Sequence, residues 1–84
     1  MSNENYNRAE ALTYQAERLL REVVLDFGME FARDRRRRTE WLIQELRQCL
    51  ATYNDRGVGF LQTELQDQMN ELVRAVRHQI EGGR

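Results

Sequence analysis

Three stretches of this chain repeat apolar residues at helical spacing, and none alternates them with the period of a strand. In the first, Leu12, Ala16, Leu19, Leu20, Val23 and Phe27 share one face of a helix. In the second, Leu42, Leu46, Cys49, Leu50 and Tyr53 do so, and Trp41 and Ile43 widen that face. In the third, the stripe is Leu61, Leu65, Met69, Leu72, Val73, Val76 and Ile80. The chain contains no proline, which suits continuous helices. The pattern predicts an all-α fold, a three-helix up-down-up bundle with a long first helix. The expected spans are about 5–27, 34–53 and 56–81, within a single helical domain covering residues 1–84. The first turns of helix 1 are expected to extend past what the other two helices cover.

The ends of these helices are marked unevenly. Asn3 and Asn5 suit an N-cap, and Gly28 suits a helix stop because glycine readily takes the left-handed conformation. Glu17 and Arg21 stand four residues apart in the favourable order for an ion pair. The connection from Gly28 to Arg33 places Met29 and Phe31 where they would plug the end of the bundle. Asp34 is the expected N-cap of helix 2. Arg35, Arg36, Arg37 and Arg38 then put four positive charges where the helix dipole favours negative ones. Asp34, Glu30 and Glu40 relieve this in part. Either the helix begins later or acidic groups elsewhere meet these arginines. Asn54-Asp55-Arg56-Gly57-Val58-Gly59 forms the second connection. Helix 3 is secure from Phe60, with a start as early as Asp55. Glu81 to Arg84 reads as a frayed end.

With 84 residues the chain makes one small domain with a modest core. Hydrophobic content of 40% and charged content of 32% are too apolar for a disordered chain and too polar for a membrane protein. Apolar runs such as Val23-Val24-Leu25 fall far short of the roughly 20 residues that span a bilayer. Residues 1–5 lack the basic and apolar regions of a secretory signal, so the expected location is cytoplasmic. The net charge of −1 gives no global pull toward nucleic acid. All 13 basic residues are arginine, a bias with no evident functional reading. Cys49, the only cysteine, lies on the apolar stripe and reads as a packed core thiol.

Candidate chemistry is sparse. The only histidine, His78, lies off the main stripe with no base or nucleophile at local spacing and reads as a solvated surface residue. Acidic residues alternate with arginines around the helices, as on an ordinary solvated face. Gly57-Val58-Gly59 lacks the strand and third glycine of a phosphate loop. No cysteine and histidine cluster has metal-ligand spacing. The expectation is no catalytic residue, no metal and no cofactor. The run Arg33-Asp34-Arg35-Arg36-Arg37-Arg38 offers a phosphate-contacting patch, but the chain is net acidic and no aromatics interleave it. A solvated helix start is the preferred reading, and nucleic acid is not an expected partner. Glu10 and Tyr14 are neighbours on one helix face. Tyr14 either packs along the bundle or meets another domain through its ring and hydroxyl.

Asn7-Arg8-Ala9-Glu10-Ala11-Leu12-Thr13-Tyr14-Gln15-Ala16-Glu17 resembles the segment Asn-x-Ala-Glu/Asp-x-Leu-x-Tyr-Gln-x-Glu in the long lid helix of the DnaK-type seventy-kilodalton heat-shock chaperones. Asp34 through Leu50 resembles that family's next helix, with Leu42, Leu46 and Leu50 at apolar positions. Leu50 through Val76 can be laid on its last helix without a gap. There Val58, Leu65, Met69, Leu72 and Val76 take the apolar positions. Only the first block is distinctive, since hydrophobic pattern alone carries the other two. The chain departs from the family in lacking a proline near Phe31 and Ala32 and in using arginine where lysine is usual. The arginine run and the glycines near the start of helix 3 are also unusual.

The resemblance implies a fragment of a larger stress-response chaperone. The ATPase domain and the peptide-gripping β-sandwich of such a protein do not fit in 84 residues. What remains resembles the distal lid, which closes over the sandwich and slows release of unfolded polypeptide. ATP and Mg would belong to the parent, and the fragment itself would not be an enzyme. By carry-over, Glu10 and Tyr14 match positions that latch the lid to the sandwich rim, Tyr14 through a neutral hydrogen bond. The implied partners are the parent's β-sandwich, its unfolded clients and its co-chaperones. The alternative is a free-standing helical bundle that self-associates as a homodimer through its stripes.

Overall fold

The structure, a computed structural model, describes residues 3–82 and contains three helices. They are α1 (Asn3–Phe27), α2 (Arg33–Ala51) and α3 (Asp55–Gly82), and no strand occurs among the described residues. The bundle is all-α, as the three stripes require. The first helix is long at 25 residues, and the third is longer at 28. Against α2, with 19 residues, α3 is longer by about 14 Å at the usual helical rise. The body measures 49 × 18 × 16 Å.

The core is built from the three stripes. Ala9, Leu12, Ala16 and Val23 of α1 are buried with Leu42, Ile43 and Leu46 of α2. From α3 come Val58, Leu61, Leu65, Met69 and Leu72. Thr13 and Thr39 are also buried, and each hydroxyl is satisfied within its own helix. Thr13 Oγ1 donates to the Glu10 carbonyl at 2.6 Å and Thr39 Oγ1 to the Arg35 carbonyl at 2.9 Å.

The stripes fail where a neighbour runs out. The first turns of α1 do not overhang: Ala9 is fully buried and the Tyr6 hydroxyl bonds Asp55 of α3. The free end is instead that of α3, where Val73 is 36% and Ile80 56% exposed. That stripe has lost its α2 neighbour. Trp41 stands largely outside, its ring covered by the Arg38 guanidinium at 5.0 Å. Met29 is exposed and does not plug the bundle, whereas Phe31 is half-buried against Phe27 at 4.8 Å between centroids.

The connections also correct several expectations. Asn5 lies inside the first turn rather than at a cap, and the Asn3 side chain lies outside the described set. Met1, Ser2, Gly83 and Arg84 lie outside the described residues too, and helix continues through Glu81 and Gly82. Gly28 ends α1 with φ +91°, its N–H closing on the Val24 carbonyl at 2.8 Å. The residue preceding α2 is Ala32, with φ 50° and no side-chain cap, and Asp34 sits in the first turn. Arg36 holds this junction. Its side chain is buried, donating from Nε to the Phe31 carbonyl at 2.9 Å and from Nη2 to the Met29 carbonyl. A charge-assisted pair of bonds to carbonyls of the connection compensates its removal from water.

Three of the four remaining arginines of the run are met by carboxylates, and Arg37 makes no ion pair among the described residues. Arg33 pairs with Glu30 at 3.6 Å, and Asp34 adds a negative charge in the first turn. Arg35 reaches Glu71 at 3.6 Å and Arg38 reaches Glu64 at 3.8 Å, both on α3. The unfavourable helix start is thus offset by the third helix, and it is not simply a solvated face.

In the second connection, α2 ends at Ala51, two residues before the expected end at Tyr53. Tyr53 leaves the stripe because its backbone turns into the left-handed region, φ 54°, and its side chain is 70% exposed. Asn54 caps α3, its Oδ1 accepting the Gly57 N–H at 3.0 Å. Gly57 lets α3 approach α2: a Cβ there would stand 2.6 Å from Cys49 Sγ and 2.9 Å from Asn54 Nδ2. Cys49 is half-buried at this contact rather than deep in the core.

Candidate functional site

Glu10 and Tyr14 lie one turn apart on the flank of α1 that adjoins α2, because residues four apart share a helix face. Both are exposed, Tyr14 to 60%. One guanidinium fixes the surroundings of Tyr14. Arg47 of α2 places its guanidinium over the Tyr14 ring, 5.6 Å from the centroid. The same guanidinium grips Glu17 in a bidentate pair, Nη1 to Oε2 at 3.0 Å and Nη2 to Oε1 at 2.6 Å. Glu17 therefore pairs across helices, and not with Arg21 as local spacing suggests.

The bidentate bond holds the Glu17 carboxyl below the usual carboxylate range, against an opposing push from burial. It also raises the Arg47 pKa, with smaller contributions from Tyr14 and Glu10. Glu10 forms no ion pair among the described residues. It is an exposed carboxylate, without a direct ion pair, beside an aromatic ring held by Arg47.

Below Glu10 the surface dips into a shallow pocket of about 360 Å³, with Leu50, Tyr6 and Tyr53 around it. Tyr6 and Tyr53 stack at 5.8 Å between centroids. The Tyr6 hydroxyl donates to Asp55 Oδ1 at 2.5 Å, which pushes its pKa up to about 12. Together these side chains make a preorganised face with one free carboxylate, two exposed phenol rings and a small apolar floor. Such a face suits docking onto another surface rather than bond-making chemistry.

Sequence reasoning placed Glu10 and Tyr14 together, and the structure does so as well. It missed Arg47, Tyr6 and Tyr53, because Glu17 and Arg47 are 30 residues apart and no local pattern links them. His78 is exposed, without a hydrogen-bond or ion-pair partner among the described residues. No group of three or more His, Cys, Asp or Glu residues able to hold a metal occurs among the described residues. No helix there is long and apolar enough to cross a membrane.

Over 74 residues, 88% of its length, the chain is 49% identical to chaperone protein DnaK of Trichormus variabilis. It is equally similar to chaperone protein dnaK1 of Nostoc sp.. Over 69 residues it is 48% identical to chaperone protein dnaK3 of Synechococcus elongatus. The chain spans only 11%, 11% and 9% of these relatives' lengths, respectively. No family model and no solved structure matches it.

Proposed function

The chain is homologous to a segment of the DnaK-type chaperones, and we propose that it serves as the distal lid of a chaperone's substrate-binding domain. In this reading it closes over the β-sandwich of the same parent chain and slows release of bound unfolded polypeptide. ATP and Mg act elsewhere in the parent. Clients and co-chaperones are partners of the parent, and the setting is cytoplasmic stress response.

The observation that carries the reading is the pair Glu10 and Tyr14. They fall in the distinctive block of the sequence, side by side, exposed, and on a helix stiffened by the bundle. Glu10 has a free carboxylate for a charge-assisted bond at the sandwich rim. Tyr14 supplies a hydroxyl and a ring held in place by Arg47. One charge-assisted and one neutral hydrogen bond contribute together about 2–4 kcal/mol, enough to hold a lid and weak enough to let it open.

The test is peptide release from the parent protein in its nucleotide-free or ADP state, followed by fluorescence anisotropy. Replacing both Glu10 and Tyr14 with alanine should speed release at least about tenfold, the equivalent of 1.4 kcal/mol. Deleting residues 3–82 should speed it further. An unchanged rate in the deletion would sink the lid reading, and an unchanged rate in the double variant alone would remove the latch.

A further inference from the structure

Glu10 makes no ion pair although a guanidinium stands close by. Glu17 of α1 grips Arg47 of α2, while Glu10 shares its pocket with Leu50, so the two helices run antiparallel here. Leu50 follows Arg47 by three residues, which puts the Arg47 backbone about 4.5 Å along the axis from the level of Glu10. Glu10 and Glu17 stand about 10.5 Å apart along α1, which leaves about 6 Å from the level of Arg47 to that of Glu17. Both carboxylates lie within the sweep of a long arginine side chain. The Arg47 pKa is raised first by the Glu17 bond and in smaller part by the Glu10 charge, so Glu10 is within electrostatic reach. On α1 itself no basic residue is one turn from Glu10, where Tyr6, Asn7, Thr13 and Tyr14 stand.

We infer that Glu17 is a positioning residue of this face: by holding Arg47 it keeps the Glu10 carboxylate available to an outside partner. The inference rests on the lid reading only for the identity of that partner. Two features favour the pairing seen. The Arg47 fork donates both terminal nitrogens to Glu17, at 3.0 and 2.6 Å, and bidentate pairs of this kind are the strong ones. Side chains also lean toward the N-terminus of their helix, which for α2 is the direction of Glu17.

The competing arrangement is close at hand. Arg21, four residues after Glu17, forms no ion pair among the described residues. The Glu17 pKa is lowered first by the Arg47 bond and in smaller part by the Arg21 charge, so Arg21 too is within reach. If Glu17 turned to Arg21, Arg47 would be released to Glu10. The number of ion pairs would rise, but Glu10 would be consumed inside the chain. The face therefore has a presenting form and a self-satisfied form, and Glu17 decides between them.

Nuclear Overhauser contacts on the 84-residue chain test the exchange directly. Glu17→Gln should create contacts between the Arg47 Cδ protons and the Glu10 Cγ protons that the unsubstituted chain lacks, with helicity checked by circular dichroism. In the full parent chaperone, Glu17→Gln should speed peptide release in the ADP state at least about threefold. Adding Arg47→Gln should return release to within about twofold of the unsubstituted protein, because the competing cation is gone. A merely structural role for the pair predicts otherwise: the pair is broken in both variants, and the double variant would release no more slowly than the single one. That outcome, or a Glu17→Gln chain without the new Arg47–Glu10 contacts, would overturn the inference. Deletion of residues 3–82 without effect on release would sink the lid reading instead, and the contacts in the 84-residue chain would then decide the exchange alone.

Discussion

Two glycines near the start of α3 should respond oppositely to the same substitution. Both Gly57 and Gly59 are helical, so alanine at either removes backbone entropy from the unfolded chain and improves helix propensity by about 0.5–1 kcal/mol. At Gly59 nothing lies within 4 Å of an added Cβ, and that gain should be realised in full. At Gly57 the Cβ would stand 2.6 Å from Cys49 Sγ and 2.9 Å from Asn54 Nδ2, where comfortable contacts lie near 3.5–4.0 Å. Moving Asn54 aside breaks the α3 cap, at about 1 kcal/mol, and pushing α3 away from Cys49 costs about 1–3 kcal/mol of overpacking. After the propensity gain, Gly57→Ala should destabilise by about 1–3 kcal/mol. Thermal and urea unfolding followed by circular dichroism reads both variants, and each kcal/mol moves the Tm of a domain this size by about 4–8 °C. Cys49→Ala combined with Gly57→Ala should recover part of the loss, giving a coupling energy above about 0.5 kcal/mol. Equal stabilisation by both alanines, or strict additivity of the Cys49 and Gly57 changes, would refute the close-approach argument.

Arg36→Met should destabilise by about 3 kcal/mol in the same unfolding assay, because it leaves the Phe31 and Met29 carbonyls without their donor. Leu65→Ala, at a fully buried position, should cost about 2–5 kcal/mol. The lowered Glu17 pKa stabilises the fold above the unfolded carboxylate value, and that contribution is lost as pH falls through the folded value. Because both side chains are about a third exposed, 34% and 35%, the effect is under about 1 kcal/mol. Arg47→Gln should flatten the acid limb of the stability–pH curve accordingly. For Tyr6 the sign is reversed. Its stabilisation is complete below the ordinary value of 10.0 and lost as pH rises toward about 12, so Tyr6→Phe should remove an alkaline transition seen in tyrosine absorbance.

Much of the bundle was legible because helical periodicity reports a face directly. Leu42, Leu46, Leu61, Leu65 and Leu72 sit where their stripes put them. Periodicity does not report how long a neighbouring helix is, and so Val73 and Ile80 emerge from cover as α3 outruns α2. The arginine run was the hardest stretch. Its local electrostatics are unfavourable, and only the α3 carboxylates and the carbonyls of the first connection, both tertiary contacts, resolve it. Tyr53 misled because its type suits an apolar stripe, while the left-handed backbone that removes it has no marker at that residue. At the candidate site, Glu10 and Tyr14 came from family resemblance. The Arg47 clamp was hidden because Glu17 had a plausible local partner in Arg21.

Arg36 gives the first connection a mechanical character. A short link between two helices ordinarily bends, and a pull on one helix is spent in the link. Here a buried cation rivets the link's carbonyls to the first turn of α2. To hinge at this point the chain would have to strand that cation without its acceptors. A force applied along α1 therefore reaches α2 through this junction as well as through the packed core.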